Sequence, residues 1–243
     1  MSETARPAFY ALQPGGWRDY VTLLHPPYTA WHLSYVAIGV ALAPHWRPWV
    51  LAPALAAFFL GLGVGAHALD ELQGRPLETR IGHRMLVVLA VTSLAGAAAI
   101  GIVTALYTSL WLILFVAAGT FIALAYNLEL FGGRFHSDFW FAVGWGAFPL
   151  LAGYFAAAEK TGIVVVLAAL FAALLSHAQR ILSTPVRRLR RETASVSGRI
   201  ELADGTSVPI TRETLTADPE RALRALCACV ITLAIALVVL RVT

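Results

Sequence analysis

Charged residues are scarce in this sequence. Asp, Glu, Lys and Arg make up only 13% of the 243 residues, against about 25% in a soluble domain, so an ordinary soluble domain is excluded. Lysine occurs once, as Lys160, which also excludes a retinal protein, since its cofactor needs a lysine inside the last apolar span. The two cysteines, Cys227 and Cys229, are two positions apart and do not face each other on a helix, so no disulfide is predicted between them.

Long apolar runs dominate what remains. Hydrophobic residues make up 58% of the chain, the mean hydropathy is +0.71, and a membrane-spanning helix needs about 17–25 mostly apolar residues. The fold class predicted is therefore an all-α polytopic membrane protein with one transmembrane domain, 28–243, after a polar leader, 1–27, that has no apolar signal-peptide core. The seven predicted spans are about 29–46, 48–69, 85–106, 108–127, 138–157, 161–181 and 222–241.

The basic residues lie almost entirely on one side of these spans. All but three of the 18 Lys and Arg residues fall in the leader or in the loops after the second, fourth and sixth spans. The positive-inside rule then predicts a cytoplasmic N-terminus and an outer C-terminus, and the near absence of lysine suggests a bacterial or archaeal cell membrane. The net charge of +4 reflects this asymmetry, so it predicts attraction to membrane lipids and phosphorylated ligands rather than to nucleic acid.

Two segments outside the predicted spans, the leader and 182–221, carry further signals. In the leader, Tyr10, Trp17 and Tyr20 are predicted to anchor at the membrane surface. The segment 182–221 begins with a basic run, 187–191, which either contacts lipid headgroups or clamps an anionic ligand.

A small hairpin is predicted within that cytoplasmic insert. Alternating residues on both sides of Asp204-Gly205 are typical of a β-hairpin, and Pro209 restricts its strand to an exposed edge. Asp218-Pro219 supplies an N-cap and a proline at the first helical position, which predicts that the last helix begins there.

Two apolar runs end in polar clusters. The first cluster contains His67, Asp70, Glu71 and Arg75, and the second is 176–180. Ionisable groups are costly in a membrane, at roughly 2.5–3.5 kcal/mol each at the bilayer centre. Because both clusters end on the same predicted side, the sequence predicts one functional site near that face.

Four segments, taken in order, resemble the UbiA superfamily of intramembrane prenyltransferases. The likeness covers roughly residues 22–185. The segments are Leu24-His25-Pro26-Pro27-Tyr28-Thr29-Ala30, Asp70 with Arg75-Pro76-Leu77, Tyr126-Asn127-Leu128-Glu129-Leu130 with Gly144-Trp145-Gly146-Ala147-Phe148-Pro149 and Gly153-Tyr154, and His177-Ala178-Gln179-Arg180.

The resemblance implies a UbiA-like helical bundle that moves a prenyl group from an isoprenoid diphosphate, or binds another phosphorylated lipid, with a lipophilic or aromatic acceptor. The pocket would open to the cytoplasm and use Mg²⁺. The chain departs from the family at the first motif, where only Asp70 remains between Ala66 and Gly74, and at the second, where Ile181 replaces an Asp. The family also usually has nine spans.

The resemblance and the chemistry together assign roles to particular residues. Asp70 and Glu71 are the predicted Mg²⁺ ligands and catalytic carboxylates, since Mg²⁺ takes oxygen ligands, and Glu129 is a predicted base. Arginines bind phosphate oxygens in pairs, and aromatic walls suit a carbocation shielded from water. The predicted substrate-binding residues are His67, Arg75, Arg80, Tyr126, Asn127, Phe141, Trp145, His177 and Arg180.

Each assignment has an alternative. Asp70 and Glu71 also suit an interface ion pair with Arg75 or Arg84, and Glu129 suits a balancing charge for Arg134 or Arg180. Trp145 is equally typical of packing or of an aromatic belt, and a histidine at a helix end, such as His177, commonly bonds a carbonyl.

Two further functions remain open. His67 lies one turn from Asp70, and the pair would suit a transition metal with His136, Asp138 or His177 in a metal-dependent membrane lipid enzyme. The missing carboxylates also suit a non-catalytic UbiA-like protein that binds a lipid or isoprenoid or supports a partner protein.

Overall fold

The computed structural model describes residues 6–243 and is almost entirely helical. Within that range the helices have three π-helical segments, Phe59–Ala66, Ala142–Ala147 and Arg188–Glu192, each continuous with its neighbours. The α-helices are α1 (Trp17–Leu23), α2 (Pro26–Leu42), α3 (Pro48–Phe58), α4 (His67–Leu72), α5 (His83–Tyr107), α6 (Leu112–Asn127), α7 (Asp138–Phe141), α8 (Phe148–Ala158), α9 (Ile163–Arg187) and α10 (Arg212–Val242).

Five helical stretches among the described residues are long and apolar enough to cross a membrane. The predicted all-α membrane class is therefore confirmed, but the count of seven spans is wrong. The first predicted span continued past the end of α2 through 43–46, and the fourth began at 108, four residues before α6, so the two helices contain only 17 and 16 residues. At 1.5 Å per residue each is about 24–26 Å long, shorter than a hydrocarbon core of about 30 Å. The five stretches are Pro48–Leu72, His83–Tyr107, Asp138–Ala158, Ile163–Glu192 and Arg212–Val242.

Helix α2 lies at the centre of the bundle. Trp31, Tyr35 and Val40 are fully buried, and α2 packs closely against α8 through Gly39 and Gly153. A Cβ atom added at Gly39 would overlap the carbonyl oxygen of Leu150, and one added at Gly153 would lie 2.6 Å from the carbonyl oxygen of Val36. Small residues of this kind let membrane helices approach until their backbones touch.

Helix α10 is attached to both ends of α2. Near the start of α2, the thiol of Cys227 donates to the carbonyl of Pro27 at 3.1 Å. At the other end, the guanidinium of Arg241 donates to the carbonyls of Ala41 and Ala43, both at 2.6 Å. These carbonyls have no partner within their own helix, so the last helix of the chain closes the end of the central one.

The predicted hairpin forms within the segment 182–221. Strands β1 (Arg199–Glu201) and β2 (Ser207–Pro209) are antiparallel, with Arg199 opposite Pro209. The predicted start of the last helix at Asp218 is wrong, because α10 begins at Arg212. Thr211 and Thr214 form a reciprocal capping box that satisfies the first free N–H groups, and Pro219 lies inside the helix.

Because α2 and α8 are in close contact at Gly39, a larger side chain at that position should destabilise the protein. Replacing Gly39 by Ala should cost about 1–3 kcal/mol of stability, since a methyl group in a closely packed interior forces the backbones apart. The measurement is the unfolding midpoint of detergent-purified protein. Gly82→Ala is the matched control, because an added Cβ there has no neighbour within 4 Å; equal midpoints for the two variants would contradict the close approach.

Candidate ligand-binding cavity

A cavity of about 150 Å³ lies at one end of the bundle. Its lining comes from the N-terminal segment, the first half of α2, α4, the end of α6, α7 with its π-helical continuation, and the last turns of α9. The predicted polar clusters therefore meet in one place, although more than 100 residues separate them.

Seven of the predicted site residues line this cavity. They come from four separate stretches of helix, and their aromatic rings form one wall. The ring of Tyr126 lies 4.4 Å from that of Trp145, Phe141 stacks on Trp145 at 5.6 Å, and the guanidinium of Arg180 lies 5.2 Å from the Phe141 ring. The seven residues are His67, Asp70, Tyr126, Asn127, Phe141, Trp145 and Arg180.

Glu71 and Arg75 lie outside the cavity lining and hold the loop that follows α4. Glu71 is fully buried, and its carboxylate accepts hydrogen bonds from the N–H of Leu77 at 3.0 Å and from the N–H and hydroxyl of Thr79 at 2.9 and 2.8 Å. The guanidinium of Arg75 donates to the carbonyls of Thr79 and Ile81. Both residues therefore hold the loop in place, and both carboxylate oxygens of Glu71 accept hydrogen bonds from loop donors.

Three other predicted residues also lie away from the lining. Arg80 is exposed, and its backbone N–H donates to Asp19 at 3.1 Å. The side chain of Glu129 is 60% exposed and lies 3.9 Å from His136, and His177 is exposed on α9. Successive helical residues are turned by about 100°, so neighbours in sequence face different surroundings.

The N-terminal segment, which was predicted to lie at the membrane surface, contributes residues to the cavity. Tyr10 lines the cavity, its hydroxyl lies 3.0 Å from Nδ1 of His25, and the His25 ring stacks on His67 at 4.0 Å. The surface-anchor prediction is therefore wrong for Tyr10, while Trp17 and Tyr20 are exposed. A short irregular segment has no periodicity that would reveal which side chains turn inward; residues 1–5 of the leader lie outside the described range.

The cavity carries an excess of positive charge. Within residues 6–243, Asp70 is the only carboxylate that lines the cavity, and it forms no ion pair with any of those residues. Arg187 and Arg191 line the same cavity and act electrostatically on Asp70, while Arg180 is paired with Asp138 at 2.8 Å. Two unpaired arginines against one carboxylate favour an anionic ligand, the second interpretation of the basic run.

The described residues do not form a recognisable metal-binding cluster. No three His, Cys, Asp or Glu side chains in 6–243 converge in a way that would hold one. Two of the predicted partners of His67 and Asp70 are engaged elsewhere, since Asp138 binds Arg180 and Nδ1 of His136 bonds the Tyr126 carbonyl at 3.0 Å, and the third, His177, is exposed. A Mg²⁺ ion fits here only with Asp70 as its protein ligand and with phosphate oxygens of a ligand as further ligands.

An apolar groove adjoins the polar cavity. It encloses about 130 Å³ between α3, α5, α6 and α8 and is lined almost wholly by small or apolar residues. Trp145 lines both spaces. Leu62 and Ala66 line the groove about two turns and one turn before Asp70 on the same continuous helix. The site as a whole therefore has a charged part and an apolar part, which suits an amphiphilic ligand.

Comparison with protein-family models, curated proteins and solved structures gives no match for this chain. The likeness to the UbiA superfamily therefore depends on the quoted segments. Each of the four contributes at least one residue to the cavity lining. Those residues include Tyr28, Asp70, Trp145 and Arg180.

The buried carboxylate of Glu71 predicts a stability effect without a direct effect on ligands. Glu71→Gln should lower the unfolding free energy by about 1.5–3 kcal/mol, because an amide nitrogen would face one of its present N–H donors. Chemical denaturation in detergent measures the change. Glu78→Gln is the control, since Glu78 is exposed in the same loop; a loss of equal size in both variants would contradict the role of Glu71.

The buried His25 predicts acid sensitivity. Burial lowers the pKa of His25 well below its usual 6.5, and the nearby His67, Arg191 and Arg187 lower it further. Below about pH 6.5 the unfolded chain takes up a proton that the folded protein does not, so stability falls by up to about 1.4 kcal/mol per pH unit. His25→Gln should reduce this fall between pH 7.5 and 5, measured by thermal unfolding. The exposed-site variant His45→Gln should not, and identical pH profiles for both variants would refute the assignment.

Proposed function

We propose that this protein is a UbiA-like intramembrane transferase, which moves a prenyl group from an isoprenoid diphosphate to a lipophilic or aromatic acceptor. The observation that carries the proposal is the junction at Trp145 between a positively charged cavity and an apolar groove. A diphosphate head joined to a hydrocarbon tail is the ligand whose two parts match these two surroundings. The quoted sequence segments support the same conclusion.

The arginines would hold the diphosphate. Arg187 and Arg191 have no carboxylate partner in 6–243, and guanidinium groups bind phosphate oxygens through paired hydrogen bonds. When bound, Mg²⁺ would supply charge neutralisation to the leaving diphosphate, and Asp70 would hold it together with phosphate oxygens. Because the chain offers one carboxylate instead of several, the arginines carry more of the neutralisation than the family pattern implies.

The aromatic wall would stabilise the prenyl carbocation that remains when the diphosphate leaves. Breaking the bond between the allylic carbon and the diphosphate oxygen leaves a carbocation, which the acceptor then attacks. Tyr126, Phe141 and Trp145 present π-faces close to the cavity, and such faces attract cations. Tyr126 and Trp145 are each 5% exposed, so the same wall keeps water from capturing the cation.

The orientation follows from charge. The cavity lies at the end of the bundle that carries the basic run of α9, and basic residues favour the cytoplasm. We therefore place the cavity mouth and the N-terminus on the cytoplasmic side of the cell membrane and the C-terminus on the outer side. The diphosphate would then enter from the cytoplasm, with its tail in the bilayer-facing groove.

A second candidate function is binding without catalysis. The described part of the chain places a single carboxylate in the cavity lining, which favours this candidate, since Glu71 is bonded to its loop and Glu129 is largely exposed. Such a protein would bind an isoprenoid or another phosphorylated lipid and present it to a partner. Binding of a prenyl diphosphate without turnover of any acceptor would favour this candidate.

Substitution of the two cavity arginines tests the diphosphate-binding part of the proposed site. Geranylgeranyl diphosphate at a hundredfold excess over its Kd should stabilise the purified protein by about 2.7 kcal/mol, read as a rise in the unfolding midpoint. The double substitution Arg187→Gln and Arg191→Gln should remove most of this rise, because both unpaired charges are lost. Arg188→Gln is the matched control, since Arg188 is exposed on the same stretch. Repeating the titration without Mg²⁺ separates the contribution of Asp70 from that of the arginines.

The same titrations test whether the prenyl tail binds in the apolar groove. Ala98→Trp should fill the groove and weaken geranylgeranyl diphosphate while leaving inorganic diphosphate unaffected, because only the former has a tail. Ala95→Trp, an exposed position on the same helix, should change neither. A wild-type protein with no shift on adding any prenyl diphosphate would contradict the proposed function.

A further inference from the structure

The N-terminal segment 6–12 forms one wall of the charged cavity. Pro7, Ala8, Phe9 and Tyr10 line the cavity, and the segment forms neither helix nor strand. Without the internal hydrogen bonds of a helix, such a segment keeps its position mainly through contacts with the rest of the protein. Those contacts therefore decide whether this side of the cavity is covered or open to solvent.

Two arginines hold the segment from the outside. Nε of Arg191, in the π-helical stretch that continues α9, donates to the carbonyl of Pro7 at 3.1 Å. The guanidinium of Arg224 on α10 lies 4.9 Å from the centre of the Phe9 ring. Arg224 is exposed and Arg191 is half-buried. A single hydrogen bond or cation–π contact near the surface contributes little stability, so these two contacts can break and re-form.

The inner side of the segment makes few apolar contacts. Ala8 and Ala11 pack against Leu77 in a small buried cluster, and the Tyr10 hydroxyl lies 3.0 Å from Nδ1 of His25. Alanine buries much less apolar surface than leucine or phenylalanine, so the cluster contributes little free energy to the closed position. The segment is therefore seated specifically but weakly against the cavity.

The C-terminal end of the segment is tied to the bundle. The N–H of Leu12 donates to the hydroxyl oxygen of Thr22 at 3.0 Å, and the N–H of Gly15 donates to the carboxylate of Asp19 at 2.9 Å. Thr22 and Asp19 are only 3% and 4% exposed, so both ties belong to the interior of the protein. The part of the segment that can swing away from the cavity is therefore 6–11.

Arg191 contacts the segment and the cavity with different parts of one guanidinium group. Its Nε–H is bonded to Pro7, and among residues 6–243 the group makes no further hydrogen bond and no ion pair. The N–H groups of its two Nη atoms are the paired donors that phosphate oxygens accept. An anion bound there would hold the guanidinium in one orientation, so that less side-chain freedom is lost when Nε bonds to Pro7.

We propose that residues 6–11 are a lid that closes on a phosphate-bearing ligand in the cavity, and that Arg191 couples closure to binding. One edge of its guanidinium binds the lid at Pro7 while the other binds the anion. Coupling of this kind is reciprocal, so the ligand stabilises the closed lid and the closed lid retains the ligand. The proposal goes beyond the proposed function, since it requires only anion binding and no transfer reaction.

Proteolysis measures how often the lid is open. Chymotrypsin cuts after Phe9 and Tyr10 only when the segment has left the cavity. Inorganic diphosphate at a hundredfold excess over its Kd should slow this cleavage about tenfold or more in the wild-type protein, because it binds the closed form in preference to the open one. Cleavage after Leu202, which is exposed in the hairpin, should keep its rate and serves as the internal reference.

Arg191→Lys tests the coupling. Lysine keeps the positive charge but replaces the planar fork of donors by a single ammonium group. At saturating diphosphate, which compensates for weaker binding, this variant should lose most of the protection after Phe9 and Tyr10. Protection equal to that of the wild-type protein would overturn the assignment of Arg191 as the coupling residue.

Arg224→Gln weakens the lid from outside the cavity lining. It should speed cleavage after Phe9 and Tyr10 about two- to fivefold, the loss expected for one exposed cation–π contact. The dissociation rate of radiolabelled diphosphate should rise by the same factor, since release requires the lid to open. Arg221→Gln is the matched control, because it removes the same charge one turn earlier on α10, where Arg221 is exposed and pairs with Asp218.

The outcomes separate the lid from the proposed function. A rise in the unfolding midpoint with diphosphate but no protection of the segment would overturn the lid alone. Equal dissociation rates in the Arg224→Gln and Arg221→Gln variants would overturn it too, as would faster cleavage after Leu202 in Arg224→Gln, which would show general destabilisation. No rise in midpoint with diphosphate or with any prenyl diphosphate would overturn both the lid and the proposed function.

Discussion

The close approach of α2 to α8 through Gly39 and Gly153 is the contact on which the rest of the structure depends. It brings a helix with several polar residues into the centre of a membrane bundle, where lipid does not reach them. Helix α10 then holds α2 at both ends through Cys227 and Arg241. The polar half of α2 is thereby fixed beside the end of α9, and the cavity is the space that remains between them. A side chain at either glycine would separate the backbones and open this space to lipid.

Several charged groups of this mostly apolar chain are satisfied by partners within the bundle. Glu71 satisfies loop donors, Arg180 binds Asp138, and Arg190 binds Glu220. Asp70, Arg187 and Arg191 instead line the cavity without an ion-pair partner in 6–243. Membrane proteins retain unpaired ionisable groups mainly where a ligand or a pathway needs them, which is why the site is assigned to these three.

Much of the fold follows from hydropathy, and less of the site does. Apolar runs revealed most of the helices, and the polar ends of two of them predicted where Asp70 and Arg180 would meet. Hydropathy does not fix the rotation of a helix about its axis, so Asp70 faces the cavity while the adjacent Glu71 turns into a loop. Nor does it fix the residue at which a helix begins or ends, which is why α2 and α6 were counted as full spans. The inward course of the N-terminal segment depends on tertiary contacts that no local pattern encodes.

The central claim is that the polar cavity and the apolar groove bind one amphiphile across Trp145. A cryo-electron microscopy structure of the protein in lipid nanodiscs with geranylgeranyl diphosphate tests it most directly. The account predicts diphosphate density between Asp70, Arg187 and Arg191, with the tail passing Trp145 into the groove. Density for the diphosphate at the exposed arginines of the hairpin insert, with an empty cavity, would contradict it.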